Sequence, residues 1–129
     1  MSDLIRVYIA GAISDPSTLQ LFENIRRGIK ASADLFFSKK YSPFCPFLDY
    51  QFLLVKDESQ TVGIKDFYNY SLAWLEKAEA VLVLLDSDNS VGTKGEIERA
   101  MELGIPVFKS RESLDDWANG LTSLNDIKI

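Results

Sequence analysis

The chain contains no histidine. That excludes Ser-His-Asp triads and makes zinc chemistry an unexpected function, so acid–base work falls to carboxylates, tyrosine, lysine or water. With a single cysteine, Cys45, neither an intrachain disulfide nor a cysteine metal cluster can form. Lys and Arg form no cluster long enough to follow a phosphate backbone, and the net charge is −5. Nucleic acid is therefore not an expected partner. No apolar stretch reaches the roughly 20 residues of a membrane span. Nor does a basic segment followed by a long apolar run open the sequence, so a signal peptide and a membrane association are not expected, and the expected location is the cytoplasm.

What is present is ordinary for a soluble domain: 129 residues, 47% hydrophobic and 26% charged, enough for one domain with a sizeable core. The stretch from Ala80 to Ala100 organises the rest. Residues 80–85 are an unbroken apolar run, the pattern of a strand covered on both faces, with residues 81–85 as the central strand. A polar loop follows over 86–92, then a helix over 93–103 with Glu96 in its first turn and Ile97, Ala100 and Met101 facing inward. Gly104 stops that helix in the usual place for a left-handed residue. In open α/β sheets, ligands bind where the carboxyl end of a strand feeds a helix, so the active site is expected here.

The remaining elements alternate in the same way. Residues 4–10 read as a first strand running into a glycine turn, with Asp15 as N-cap and Pro16 as first residue of a helix to about Phe37. Leu21, Phe22, Ile25, Ile29, Ala33 and Phe36 recur at helical spacing and form its expected buried face. Residues 41–55 are apolar but broken by Pro43 and Pro46, which predicts a short strand and then a loop over the site. A second helix is expected over 64–77 with Phe67, Tyr70, Trp74 and Leu75 inward. A strand is expected over 105–108 and a short helix over 110–118, with a weakly patterned tail after Asn119. This order predicts an α/β fold: a doubly wound, flavodoxin- or Rossmann-like parallel sheet of four or five strands with helices on both faces, in a single domain over residues 1–129.

Two readings of Glu96 stand at this point. Thr93-Lys94-Gly95-Glu96 has the form of a capping box, in which Glu96 only closes the helix start. Alternatively the helix N-terminus keeps the carboxylate ionised beside a sugar- or phosphate-sized pocket, the disposition that attack on an anomeric carbon requires. Gly92 and Gly95 either leave room for a ligand at the backbone or serve the turn alone. Ser87, Asn89, Ser90 and Thr93 offer groups that bind phosphate, and are also common loop residues. The Gly11 turn either cradles a phosphate with backbone N–H groups or is a tight turn with a cap. Tyr8, Tyr68 and Asn69 have plain packing and capping readings. Asp49, among Phe47, Leu48, Tyr50 and Phe52, is either directed to solvent or carries a raised pKa. Glu98 and Glu102, with Arg99 and Lys94 nearby, read as a solvated face.

Taken together, Tyr8-Ile9-Ala10-Gly11, Phe47-Leu48-Asp49-Tyr50-Gln51, Tyr68-Asn69 with Trp74-Leu75, Ser90-Val91-Gly92 through Gly95-Glu96, Glu98-Arg99-Ala100 and Gly104-Ile105-Pro106-Val107 resemble the nucleoside 2-deoxyribosyltransferase superfamily. That superfamily includes the 2′-deoxynucleoside 5′-phosphate N-hydrolases, and the resemblance spans most of residues 5–108. It implies that Glu96 is a nucleophile attacking C1′, that Tyr8 positions it, and that Gly11 to Ser14 form the first sugar and phosphate loop. Ser90 stands where the 5′-phosphate hydrolases carry serine, which favours a nucleotide over a nucleoside. Asn69, Ser71 and Gly92 join Gly11, Ser14 and Ser90 as implied substrate-binding residues. No metal or organic cofactor is implied, and a homodimer or higher homo-oligomer is. One departure matters: the family aspartate that assists departure of the base is Ser71 here, and serine is no comparable proton donor near neutral pH. Asp49 or Asp66 could replace it; Asp66 is five residues before Ser71, well over one turn away, and Asp49 is the candidate acid. The expected function is cleavage or transfer at the N-glycosidic bond of a (deoxy)nucleoside 5′-monophosphate. The alternative is a non-catalytic nucleotide or nucleotide-signal binding module.

Overall fold

The computed structural model describes residues 3–127 other than 86, 88 and 89, with the side chains of 50 and 122–127 set aside. Its elements alternate along the chain: β1 (Ile5–Ala10), α1 (Thr18–Phe37), β2 (Tyr41–Phe44), a 3-10 helical segment (Pro46–Val55), α2 (Ile64–Leu75), β3 (Ala80–Val83), α3 (Val91–Glu102), β4 (Val107–Phe108) and α4 (Arg111–Ile127). The four strands form one sheet in the order β2-β1-β3-β4, and every pairing is parallel. This is the expected doubly wound, flavodoxin-like α/β fold: the chain leaves β1 towards one edge and β3 towards the other.

The strands are buried because helices cover both faces. Val7 and Ile9 turn to one side, packing with Leu35 of α1 and with Leu114 and Ala118 of α4. Tyr8 and Ala10 turn to the other, with Leu75 of α2 and Ala100 of α3. All four residues of β3 are buried, as the unbroken apolar run requires. Pro43 lies inside β2 without harm because β2 is an edge strand.

Several boundaries and faces differ from the sequence reading. Ser17, not Asp15, caps α1: its Oγ accepts the Gln20 N–H at 3.3 Å, while Asp15 accepts the Ser17 N–H at 2.8 Å one turn ahead of the helix. The buried stripe of α1 is Asn24, Gly28, Ser32 and Leu35, and Phe22 and Phe36 remain 62% and 64% exposed. The helix lies too close to Phe47 for large residues on that side. The expected loop after β2 is a 3-10 helix started by Pro46. On α2, Ser71 and Leu75 are buried, while Tyr70 and Trp74 stay exposed at the rim around Phe44. β3 begins at Ala80 and ends at Val83, β4 is only Val107–Phe108, and α4 continues well past Ala118. Met101 faces outward, 70% exposed. Gly104 does stop α3, at φ +72°. No helix among the described residues is long and apolar enough to cross a membrane.

Candidate active site

The site is assembled where the loops after β1 and β3 meet. Leu84 N–H donates to the Ala10 carbonyl at 2.8 Å, and Ala12 N–H donates to buried Ser87 Oγ at 3.0 Å. The two loops are thus stitched together at the switch point of the sheet, between β1 and β3.

On the α2/α3 face of that point lies Tyr8, fully buried, whose hydroxyl donates to Glu96 Oε2. The capping-box reading of Glu96 is corrected here. The cap of α3 is Ser90, whose Oγ accepts the Thr93 N–H at 3.4 Å, so the helix starts two residues earlier than expected. Glu96 therefore falls in the second turn, and its side chain goes to the sheet rather than back to the cap. The helix N-terminus does not decide its charge either. Burial dominates, with the Tyr8 hydroxyl pulling the other way, and the carboxyl is pushed up from 4.5 to about 7. The Tyr8 phenol is pushed far above its usual 10 by burial and then by the Glu96 charge, so it stays the proton donor of the pair.

A second buried polar pair sits beside the first. Ser71 Oγ on α2 donates to Asp49 Oδ2 on the 3-10 segment at 3.0 Å. Of the two readings for Asp49, the buried one holds: burial raises its pKa, and the Ser71 hydroxyl partly offsets the rise. The Ser71 hydroxyl and the Asp49 charge both act on the Tyr8 phenol, which places the two pairs side by side. Such a cluster of shifted carboxyl groups has the character of a functional site.

The other expected site residues are distributed around this cluster. Gly11 is needed for packing: an added Cβ would stand 2.8 Å from Leu84 Cδ1 and 3.0 Å from Phe47 Cζ. An added Cβ at Gly92 would make only an ordinary contact, with Ser90 Oγ at 4.0 Å, and Ser14 is exposed on the β1–α1 loop. The Ser90 hydroxyl is occupied as a cap. Among the described residues Thr93 Oγ1, buried in the first turn of α3, has no hydrogen-bond partner, an orphan group of a kind that native structures seldom leave unexplained. Asn69 is exposed on α2, apart from buried Ser71. Asn89 lies outside the described residues. The side chain that the sequence undervalued is Tyr68, whose hydroxyl rests against Gly95; the signal was a glycine on α3 facing a tyrosine on α2.

A cavity of about 390 Å³ runs between the 3-10 segment and α2, lined by Phe52, Val55, Val62, Phe67 and Tyr70 with Lys56 and Asp66. Another of about 220 Å³ lies between α1 and the start of α4, lined by Leu35, Leu82, Lys109 and Arg111 among others. Neither is lined by Tyr8 or Glu96. The larger one begins one 3-10 turn beyond Asp49, past the edge-to-face contact of Phe52 and Tyr70 at 5.7 Å. No cluster of three or more Cys, Asp or Glu able to hold a metal occurs among the described residues.

Comparison with known proteins follows the fold. The chain is similar in structure to a 2-deoxyribosyltransferase from the psychrotolerant bacterium Bacillus psychrosaccharolyticus. The two are 17% identical, 79% of this chain and 69% of that one correspond, and the TM-score is 0.54. At that identity the likeness establishes a shared fold. No curated protein matches the chain. Residues 6–110 match the model of a domain family of unknown function, DUF7768, and the chain belongs to that family.

Proposed function

We propose that this protein cleaves or transfers at the N-glycosidic bond of a (deoxy)nucleoside 5′-monophosphate, with Glu96 as nucleophile. The observation that carries the reading is the buried Tyr8–Glu96 pair beside the β1 and β3 loops. The ionised carboxylate attacks C1′, the C1′–N bond breaks, and its electron pair leaves with the base. Asp49, whose hold on a proton is strengthened by burial and partly offset by the Ser71 hydroxyl, is the group that donates a proton to the departing base. Water then attacks C1′ of the glycosyl ester, gives its proton to Asp49 and frees Glu96; a second base in place of water completes a transfer instead. Tyr8 holds Oε2 in place, so that less of the reaction is spent on orientation. The sugar and phosphate fall to the Gly11–Ser14 and Ser90–Gly92 loops and the orphan Thr93 hydroxyl. Ser71 positions the acid rather than replacing it, because its hydroxyl is bonded to Asp49.

The test is incubation with each deoxynucleoside monophosphate and chromatography of the free base. Release by wild type and none by Glu96→Ala supports the mechanism; equal release by both ends it. Binding of a nucleotide without any release favours a non-catalytic binding module, a reading that serine at position 71 keeps in play. Asp49→Asn is expected to slow release about 10²- to 10⁴-fold, the usual range for removing a general acid. A substrate whose base departs without protonation should give up its first equivalent of base to Asp49→Asn nearly as fast as to wild type, with later turnovers slowed by the water step, which also uses Asp49. Failure of that rescue would remove Asp49 from the role.

A further inference from the structure

Gly95 owes its identity to a neighbour on another helix. A Cβ placed there would overlap the Tyr68 hydroxyl, with Tyr68 Cζ at 3.3 Å and Cε1 at 3.9 Å. Tyr68 stands half-buried on α2, so its ring crosses the gap between α2 and α3. It ends on the backbone of the residue immediately before Glu96. Partial burial and then the charges of Glu96 and Glu98 hold its phenol above the usual 10, so the hydroxyl is protonated at neutral pH. From the sheet side Glu96 receives the Tyr8 hydroxyl. Two phenols therefore bracket the stretch of α3 that carries the carboxylate: one bonded to it from β1, the other seated on the backbone before it from α2.

We infer that Tyr68 is a positioning residue for Glu96: its hydroxyl, seated on Gly95, sets the spacing of α3 from α2 and with it the point at which the carboxylate meets a substrate. The inference builds on Glu96 as the nucleophile, but the geometry concerns Glu96 itself. The cap at Ser90 and the stop at Gly104 fix the ends of α3. They leave its lateral distance from α2 to side-chain contacts, and this one falls on the residue next to the carboxylate. A displacement near 1 Å at a reacting group slows a reaction by about 10²-fold, so a contact of this kind has a measurable consequence.

The test uses Tyr68→Phe, Gly95→Ala and the double variant, each checked for folding by thermal unfolding. Only the hydroxyl oxygen lies inside 3.0 Å of the added methyl, and Cζ at 3.3 Å needs a small adjustment. Gly95→Ala is expected to lower base release about 10²-fold and to move the titration of the Glu96 carboxyl, read by carbon-13 NMR. Tyr8 from β1, Asp49 from the 3-10 segment, Tyr68 from α2 and Glu98 on α3 itself are the titratable groups in its surroundings, and only the Tyr68 contact changes. The double variant is expected to return both readouts to those of Tyr68→Phe alone. A Glu96 titration that Gly95→Ala leaves in place, or a double variant as impaired as Gly95→Ala, overturns the inference. If Gly95→Ala does not fold, Tyr68→Phe decides: an unmoved Glu96 titration overturns the assignment, and a moved one supports it. Should wild type release no base while the titration moves and returns as described, the glycosidase reading fails and the positioning of Glu96 by Tyr68 stands.

Discussion

Glu96→Gln is expected to fold as wild type does and to lose base release by about 10⁴-fold or more, roughly 5.5 kcal/mol of barrier. The amide keeps the shape of the carboxylate and can still accept the Tyr8 hydroxyl, but it cannot form the glycosyl ester. Stability is expected to move the other way. Burial raises the Glu96 carboxyl from 4.5 to about 7, so the folded chain holds this proton more tightly than the unfolded chain does. The stabilisation from that proton is fully present below the unfolded value and is lost as pH rises through the folded one. Thermal unfolding of the two proteins should therefore coincide near pH 4 and separate between about 4.5 and 7, with Glu96→Gln the more stable at about pH 8. Asp49 also carries a raised carboxyl, but it is present in both proteins and cancels in the difference. A difference that stays flat with pH would mean that Glu96 is not buried as an acid. Loss of activity joined to a gain of stability is the signature of a group held for chemistry rather than for the fold.

The sequence carried the architecture because its strongest signals are local. The apolar run at 80–85 announces a strand covered on both faces, and Gly104 announces the end of α3. Other features depended on contacts between distant segments and were not legible. The buried stripe of α1 is Asn24, Gly28, Ser32 and Leu35, where periodicity selected the large apolar residues. Hydropathy counts what a residue prefers; here the closeness of Phe47 decided what could fit. At the site, the resemblance paired Tyr8 with Glu96, whereas Asp49 and Ser71 were each visible but not as a hydrogen-bonded pair beside them. The Asp49–Ser71 hydrogen bond spans 22 residues and the Tyr8–Glu96 bond spans 88, separations on which local pattern is silent. Thr93 looked like a cap because its spacing to Glu96 fits a capping box; Ser90, three residues earlier, had the same chemistry and a prior claim on the helix start.

Gly28→Ala is expected to destabilise the protein, against the sign that helix propensity alone gives. In an open helix position the change gains about 1 kcal/mol. Gly120 on α4 is such a position, with nothing among the described residues within 4 Å of an added Cβ, and Gly120→Ala should raise the melting temperature by roughly 4 °C. At Gly28 the methyl would stand 2.5 Å from Phe47 Cδ2 and overlap the ring. The ring has little room to retreat: it is 1% exposed, packs with Leu35 and Tyr41, and its far edge already lies against Gly11. Overpacking at an enclosed site costs about 3 kcal/mol, which exceeds the propensity gain and leaves a net loss of about 2 kcal/mol, near 8 °C in melting temperature for a chain of this length. Phe47→Leu, placed in the Gly28→Ala background, should recover part of that loss, since the two changes share one contact. A stabilising or neutral Gly28→Ala would show that the 3-10 segment yields freely. The consequence extends to the site, because Phe47 anchors the segment that two residues later presents Asp49 to Ser71. Gly28→Ala should therefore also shift the pH limb of base release that belongs to Asp49, whereas Gly120→Ala should leave that limb where it is.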